Sequence, residues 1–167
     1  WESRRAGHWD GWGRGYTALR AGLLRRVRAE LGRDEGLDVL TMLWDMEKFY
    51  DNLNLRRLLA LASGLDYPRT VLVISTSYYL CPRMLRGHGC LSAGVCPANS
   101  ITAGCTHANS MAKAYLYAIV ERIHLQHPRF GMGQFVDDLA QQAEGDDPGM
   151  CARFGEAASE LYGLLQG

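Results

Sequence analysis

Four aspartates carry the spacing most suggestive of chemistry. Asp45 and Asp51 bracket the run Asp45-Met46-Glu47-Lys48-Phe49-Tyr50-Asp51, directly after an apolar stretch, and Asp137 and Asp138 stand side by side between two further apolar stretches. A carboxylate at the end of a buried strand is rigidly held yet exposed, which suits a metal ligand. Adjacent carboxylates at a tight turn repel one another, and a divalent cation relieves that repulsion. Mg²⁺ takes all-oxygen ligands and commonly uses one or two carboxylates plus substrate phosphates. A third segment, Ser100-Ile101-Thr102-Ala103-Gly104-Cys105-Thr106-His107-Ala108-Asn109, is built of small residues, and Gly104 allows a substrate or another backbone to come close. Each feature also has an ordinary use: a cap on a turn, a solvated Asp-Asp turn, the start of a helix. Cys81, His88, Cys90 and Cys96 lie near one another in sequence, but their spacing matches no zinc pattern. Five cysteines without CxxC spacing point away from a disulfide framework and toward a reducing compartment.

These residues need elements to hold them. Tyr16, Leu19, Leu23, Leu24, Val27 and Leu31 recur at helical spacing, which predicts an amphipathic helix over 15–33. Residues 37–44 read as a largely buried strand that delivers Asp45 at its end. A short helix over 55–61 stops near Gly64, and Pro68 suits the first position of another. The glycines, Pro97 and small residues of 82–99 suggest a turn-rich segment with a hairpin. Helical character returns over 104–126. Residues 130–136 and 139–143 read as the arms of a tight hairpin with Asp137-Asp138 at its turn, and Asp146-Asp147-Pro148 opens a last helix. Helices and strands without regular alternation give an α+β class.

Length and composition agree with one core. The chain has 167 residues, 47% hydrophobic and 22% charged, which is ordinary for a globular domain. No apolar run approaches the ~20 residues that span a bilayer. The chain opens on Trp1 and its first Met is Met42, so it reads as a piece of a longer protein. The net charge of zero hides a division: eight arginines face three acids in the first 33 positions, and the remainder is acidic by the same margin. A basic end beside an acidic body suits a polyanion held next to a cation site.

Taken together, the segments resemble the palm of a reverse transcriptase. The run from Asp45 to Asp51 resembles the family's first catalytic motif. Phe135-Val136-Asp137-Asp138 is similar to its aromatic-x-Asp-Asp hairpin, and residues 101–108 resemble the segment usually written v-p-Q-G-s-p-l-S. Tyr67-Pro68, Tyr79 and Arg83 resemble connecting positions. The order and separation of the three motifs carry the likeness, over about residues 37–145. It departs at Ala103, where the family has Gln, and at Cys105 and Ala108, where it has Ser.

The resemblance implies a polymerase palm, an antiparallel sheet with helices packed on one face, plus part of the fingers. Residues 1–36 would be an Arg-rich helical fingers-like segment. Residues 37–167 would be the palm, with a fingers-like insertion at about 66–100 and truncation before the thumb. The implied activity is RNA-directed DNA synthesis: nucleotidyl transfer from a dNTP to a primer 3′-hydroxyl on an RNA template, with two Mg²⁺ ions or Mn²⁺ in their place. Asp45, Asp137 and Asp138 would be catalytic and, with the Met46 backbone carbonyl, would hold the metals; Asp138 would be the less central. Tyr50, Gly104 and Thr106 would face substrate, Tyr50 as the aromatic that excludes a 2′-hydroxyl. Partners would be an RNA template with DNA primer, dNTPs and the missing thumb, with no membrane, in the nucleus or cytoplasm. The alternatives are an impaired or domesticated palm-like nucleic-acid-binding module and an RNA-directed RNA polymerase.

Overall fold

A computed structural model of the chain describes residues 1, 4, 5, 7, 9 and 17–166; Arg14, Tyr16 and Gly167 lie outside the described residues. The fold is mixed α+β. In chain order the elements are α1 (Ala18–Asp34), β1 (Asp38–Trp44), α2 (Phe49–Asn52), α3 (Leu55–Gly64), α4 (Arg69–Leu80), β2 (Arg86–Gly87), β3 (Cys90–Leu91), α5 (Ala108–Gln126), β4 (Gly131–Phe135), β5 (Asp138–Gly145) and α6 (Met150–Gln166). Among the described residues, no helix is long and apolar enough to cross a membrane. The chain divides into two compact units, one of Trp1 with 47–115 and the other of 2–46 with 116–167. α1 and β1 thus fall in the same unit.

The second unit is built on an antiparallel sheet of order β1-β5-β4. Leu40 pairs with Ala143 and Met42 with Gln141, so these side chains share one face. Leu40, Met42 and Ala143 meet Phe130, Met150, Phe154 and Ala157 there, which seats α6 against that face. On the opposite face Gln142 Nε2 donates to the Arg25 carbonyl of α1 at 3.3 Å, and Gly32 of α1 lies against Val39 and Glu144. The resemblance implied helices on one face only; here both faces are covered. The reason lies in β5, the central strand, where Leu139, Ala140, Gln141, Gln142 and Ala143 are all buried and each face needs a cover.

α1 begins where the Thr17 side chain accepts from Arg20 N, an ordinary N-cap. Its burial reverses the expectation from spacing. Ala29 and Gly32 are buried, whereas Leu19 is 82% and Leu31 57% exposed. A Cβ on Gly32 would stand 3.0 Å from Val39 Cγ2, so the small-residue side is what lets the helix approach the sheet, and Leu24, Val27 and Leu31 of the aliphatic stripe line an open groove beside it. α6 begins at Met150, after Asp147 Oδ1 accepts from Gly149 N at 2.8 Å.

In the first unit Asn54 caps α3, its side chain accepting from Arg56 N and Arg57 N. Pro68 is the N-cap of α4 rather than its first residue. Buried Tyr67 shares a 2.7 Å hydrogen bond with Ser110, and Tyr79 is fully buried. The hairpin expected within 82–99 is β2–β3, turning at His88 and Gly89 with φ of 49° and 80°. Two positive φ values are the signature of a type I′ turn. α5 starts four residues later than its sequence suggested, because Cys105 N bonds the Thr102 carbonyl and Ala108 N the Cys105 carbonyl in two successive turns.

Candidate functional site

The register of the sheet decides which carboxylates meet. Trp44 pairs with Leu139. The ladder ends there, and the chain carries Asp45 on past Trp44 toward Asp138, the first residue of β5, near enough for the two charges to interact. By the alternation of the strands, both belong to the face that α1 covers. Asp45 and Asp138 line a cavity of about 270 Å³ together with Ala18, Ala21 and Arg25 of α1 and Phe135 of β4. Like charges held close together disfavour one another's ionised form. The Asp138 carboxyl shows the strain: partial burial raises its pKa most, Asp137 and Asp45 raise it further, and Arg25 works against the rise.

Asp137 stands differently. Phe135 pairs with Asp138, so the two-residue turn is Val136-Asp137 and Asp138 is the first residue of β5. The sequence had both aspartates at the turn, so the hairpin is shifted by one residue. Val136 has φ 60°, a conformation a β-branched residue adopts only under strain. Gln134 Nε2 donates to the Val136 carbonyl at 3.0 Å, tying the turn to a buried side chain. Asp137 is half-buried and Asp138 exposed. Among the described residues, no three His, Cys, Asp or Glu side chains gather into a metal-ligand group.

Tyr50 and the 101–108 segment belong to the first unit. Tyr50 is half-buried, its hydroxyl donates to Asn109 Oδ1 at 2.9 Å, and its carbonyl accepts from Ile101 N. Its ring meets Phe49 edge-on at 5.5 Å. Gly104 has φ 83° with no atom within 4 Å of where a Cβ would stand, so the backbone conformation, rather than close approach by the protein, requires glycine. Thr106 and Ala103 are exposed, and Arg83 reaches Thr102 Oγ1 at 3.4 Å.

Sequence reasoning missed Arg25 and Gln134. Arg25 is one of eight arginines in the first 33 positions, and nothing in the pattern marks it out. Only the packing of α1 brings it to the carboxylates. A larger cavity of about 600 Å³ between α1 and the strands is lined mainly by aliphatic and arginine side chains; its acids, Glu35 and Glu144, do not include the aspartate pair. No protein-family model matches this chain, and no curated protein matches it.

Proposed function

We propose that the chain is the palm, with part of the fingers, of an RNA-directed DNA polymerase. The observation that carries the reading is that the ends of β1 and β5 bring Asp45 and Asp138 to one cavity, beside the strained turn bearing Asp137. Two distant stretches of sequence supply them, with Asp137 in the adjoining turn, in the order the resemblance implies.

The residues suit divalent ions of the Mg²⁺ kind. Their donors are all hard oxygens, and the Asp138 carboxyl is raised first by partial burial and then by the charges of Asp137 and Asp45, a repulsion that a cation removes. One or two carboxylates with substrate phosphates suffice for Mg²⁺, so a three-ligand protein cage is not required. Asp45, Asp137, Asp138 and the Met46 carbonyl would hold the ions. When bound, such ions lower the pKa of a primer 3′-hydroxyl and offset the charge of a reacting triphosphate. The chain's own part is to hold the acids in place: β5, buried on both faces, fixes Asp138, and Gln134 fixes the turn.

Tyr50 carries the choice of sugar in this reading. A ring beneath the ribose leaves no room for a 2′-hydroxyl, and the bond to Asn109 with the edge contact to Phe49 holds that ring still. Gly104 and Thr106 face the nascent base pair, the partners are an RNA template, a DNA primer and dNTPs, and the setting is nuclear or cytoplasmic. A nucleic-acid-binding module without turnover is the second reading. It is favoured by Ala103, whose methyl offers no hydrogen bond where the family has an amide.

Primer extension on an RNA template with Mg²⁺ tests the proposal. Asp137→Asn is expected to lower incorporation by about 10²–10³-fold, the scale of losing one electrostatic stabiliser, while the fold stays intact. Tyr50→Val is expected to raise ribonucleotide relative to deoxynucleotide incorporation by about tenfold or more. Undiminished incorporation by Asp137→Asn refutes the metal assignment, and an unchanged sugar ratio in an active Tyr50→Val returns that ring to the core.

A further inference from the structure

The larger cavity beside α1, about 600 Å³, is lined by neither Asp45 nor Asp138. Its volume falls in the range of small-molecule sites, roughly 300–1,000 Å³. One wall is the aliphatic stripe of α1, Leu24, Val27 and Leu31, and Leu37 and Met132 complete an apolar lining. Leu24 and Leu31 are each 57% exposed, so the described residues leave this wall open to water. The floor is β4, where Gly131 and Gly133 face α1. A Cβ on Gly131 would stand 3.2 Å from a guanidinium nitrogen of Arg28, and one on Gly133 3.8 Å from one of Arg25. Two guanidinium groups therefore lie over a strand face without side chains. Among the described residues, neither has a carboxylate at ion-pair distance.

Charge is ordered along this cavity. Arg20, Arg25 and Arg28 line it from the earlier turns of α1, whereas its acids, Glu35 and Glu144, come at the other end, with Glu144 beside Gly32. From Arg20 to Gly32 the helix rises about 18 Å. An anionic group is drawn to the arginine end, and a second one at the far end meets two carboxylates. Trp9 apart, the apolar lining is aliphatic rather than aromatic. The complement of such a site is a long, narrow alkyl body with one negative head. Burying that body also takes the exposed wall out of water.

We infer that this cavity binds a single-chain fatty carboxylate, its head on Arg25 and Arg28 and its chain along the aliphatic wall of α1. The site uses neither Asp45 nor Asp138, so it stands or falls apart from the polymerase reading. Arg25 also lines the cavity of the aspartate pair, which makes Arg28 the arginine to change.

Calorimetric titration of the full chain with dodecanoate below its micelle concentration tests it, with dodecanol as the uncharged probe of the same length. Dodecanoate is expected to bind the wild-type chain about tenfold more tightly than dodecanol, the scale of a charge-assisted hydrogen bond. Arg28→Gln is expected to remove about that factor for dodecanoate and to leave dodecanol unchanged. Gly133→Val puts a side chain on the floor, where its Cβ would meet nothing closer than 3.8 Å, and is expected to weaken both probes by more than about tenfold by occupying their space. Leu24→Gln, at an exposed position that tolerates a polar group, guards against misfolding and is expected to weaken both probes several-fold. Dodecanoate bound no more tightly than dodecanol overturns the inference, as does an affinity that Arg28→Gln, Gly133→Val and Leu24→Gln all leave unchanged. So does saturable binding of an acidic amphipathic peptide by a chain that ignores dodecanoate, which gives the groove to a protein partner.

Discussion

The two β-hairpins among the described residues solve opposite problems with turns of the same length. β4–β5 turns at Val136-Asp137 and ends in acids; β2–β3 turns at His88-Gly89 and carries arginines. Behind the acidic hairpin stands a core: Leu139 to Ala143 are buried, and Phe130, Met150 and Phe154 pack where that strand passes. Behind the basic hairpin there is none, since every residue of 81–96 is exposed. The difference shows what each arrangement can do. Carboxylates that repel one another stay together only when packing overrules them. The basic hairpin has no such packing behind it, and its arginines and apolar side chains stand in solvent.

The sharpest way to break the comparison is to remove one side chain from each region. Phe154→Ala empties part of the core behind the acidic hairpin and is expected to cost about 3–5 kcal/mol. Leu85→Ala, in the basic hairpin, is expected to stay within about 0.5 kcal/mol of wild type. Denaturant unfolding of both measures the contrast, and similar losses would mean that the exposed hairpin has a core after all.

A smaller effect concerns the turns. Val136 holds φ 60° at the turn position where the basic hairpin has His88 at φ 49°, so both turns place a non-glycine residue in the left-handed region, and the β-branched valine bears the greater strain. Val136→Gly is expected to stabilise the fold by about 1 kcal/mol, read as a raised thermal midpoint. A lowered midpoint would show that the packing of the valine outweighs its backbone cost.

The smallest expected effect is electrostatic. The carboxyl of Asp138 is raised above its ordinary 3.8, so the folded chain holds that proton more tightly than the unfolded chain. Ionised Asp138 therefore costs stability above its folded pKa, and the cost shrinks as pH falls through that value and is gone below the ordinary one. Asp138→Asn should raise the thermal midpoint slightly near neutral pH and have no effect once pH drops below the ordinary carboxylate range. A variant that is destabilised near neutral pH would mean that Arg25 more than balances the two neighbouring acids.

Much of this was written plainly in the chain. The apolar run of 37–44 became β1 within one residue, though as an edge strand with no buried residue rather than a largely buried one; Pro68 marked the start of α4, and the paired aspartates marked a hairpin. What stayed hidden depended on tertiary context. The aliphatic spacing of Leu19, Leu23, Val27 and Leu31 identified α1 as a helix but named the wrong side as its buried one. Ala29 and Gly32 bury instead, because small residues permit close approach to a sheet. Gln141 and Gln142 read as polar yet are buried; Gln141 accepts from Trp44 Nε1 and Gln142 donates to the Arg25 carbonyl, partners 97 and 117 residues distant. The meeting of Asp45 and Asp138 at one cavity is likewise a matter of strand pairing, which neither motif contains alone.

That meeting is the centre of the account, and Mn²⁺ binding by the intact chain, followed by electron paramagnetic resonance, tests it most directly. The wild-type chain should bind Mn²⁺ in competition with Mg²⁺, less tightly as pH is lowered through the raised Asp138 carboxyl. Asp45→Asn and Asp138→Asn should each weaken binding more than about tenfold, the scale seen even for groups that only support a ligand. Mn²⁺ affinity that is absent from the wild-type chain, or that neither substitution changes, would contradict the carboxylate site and the polymerase reading built on it.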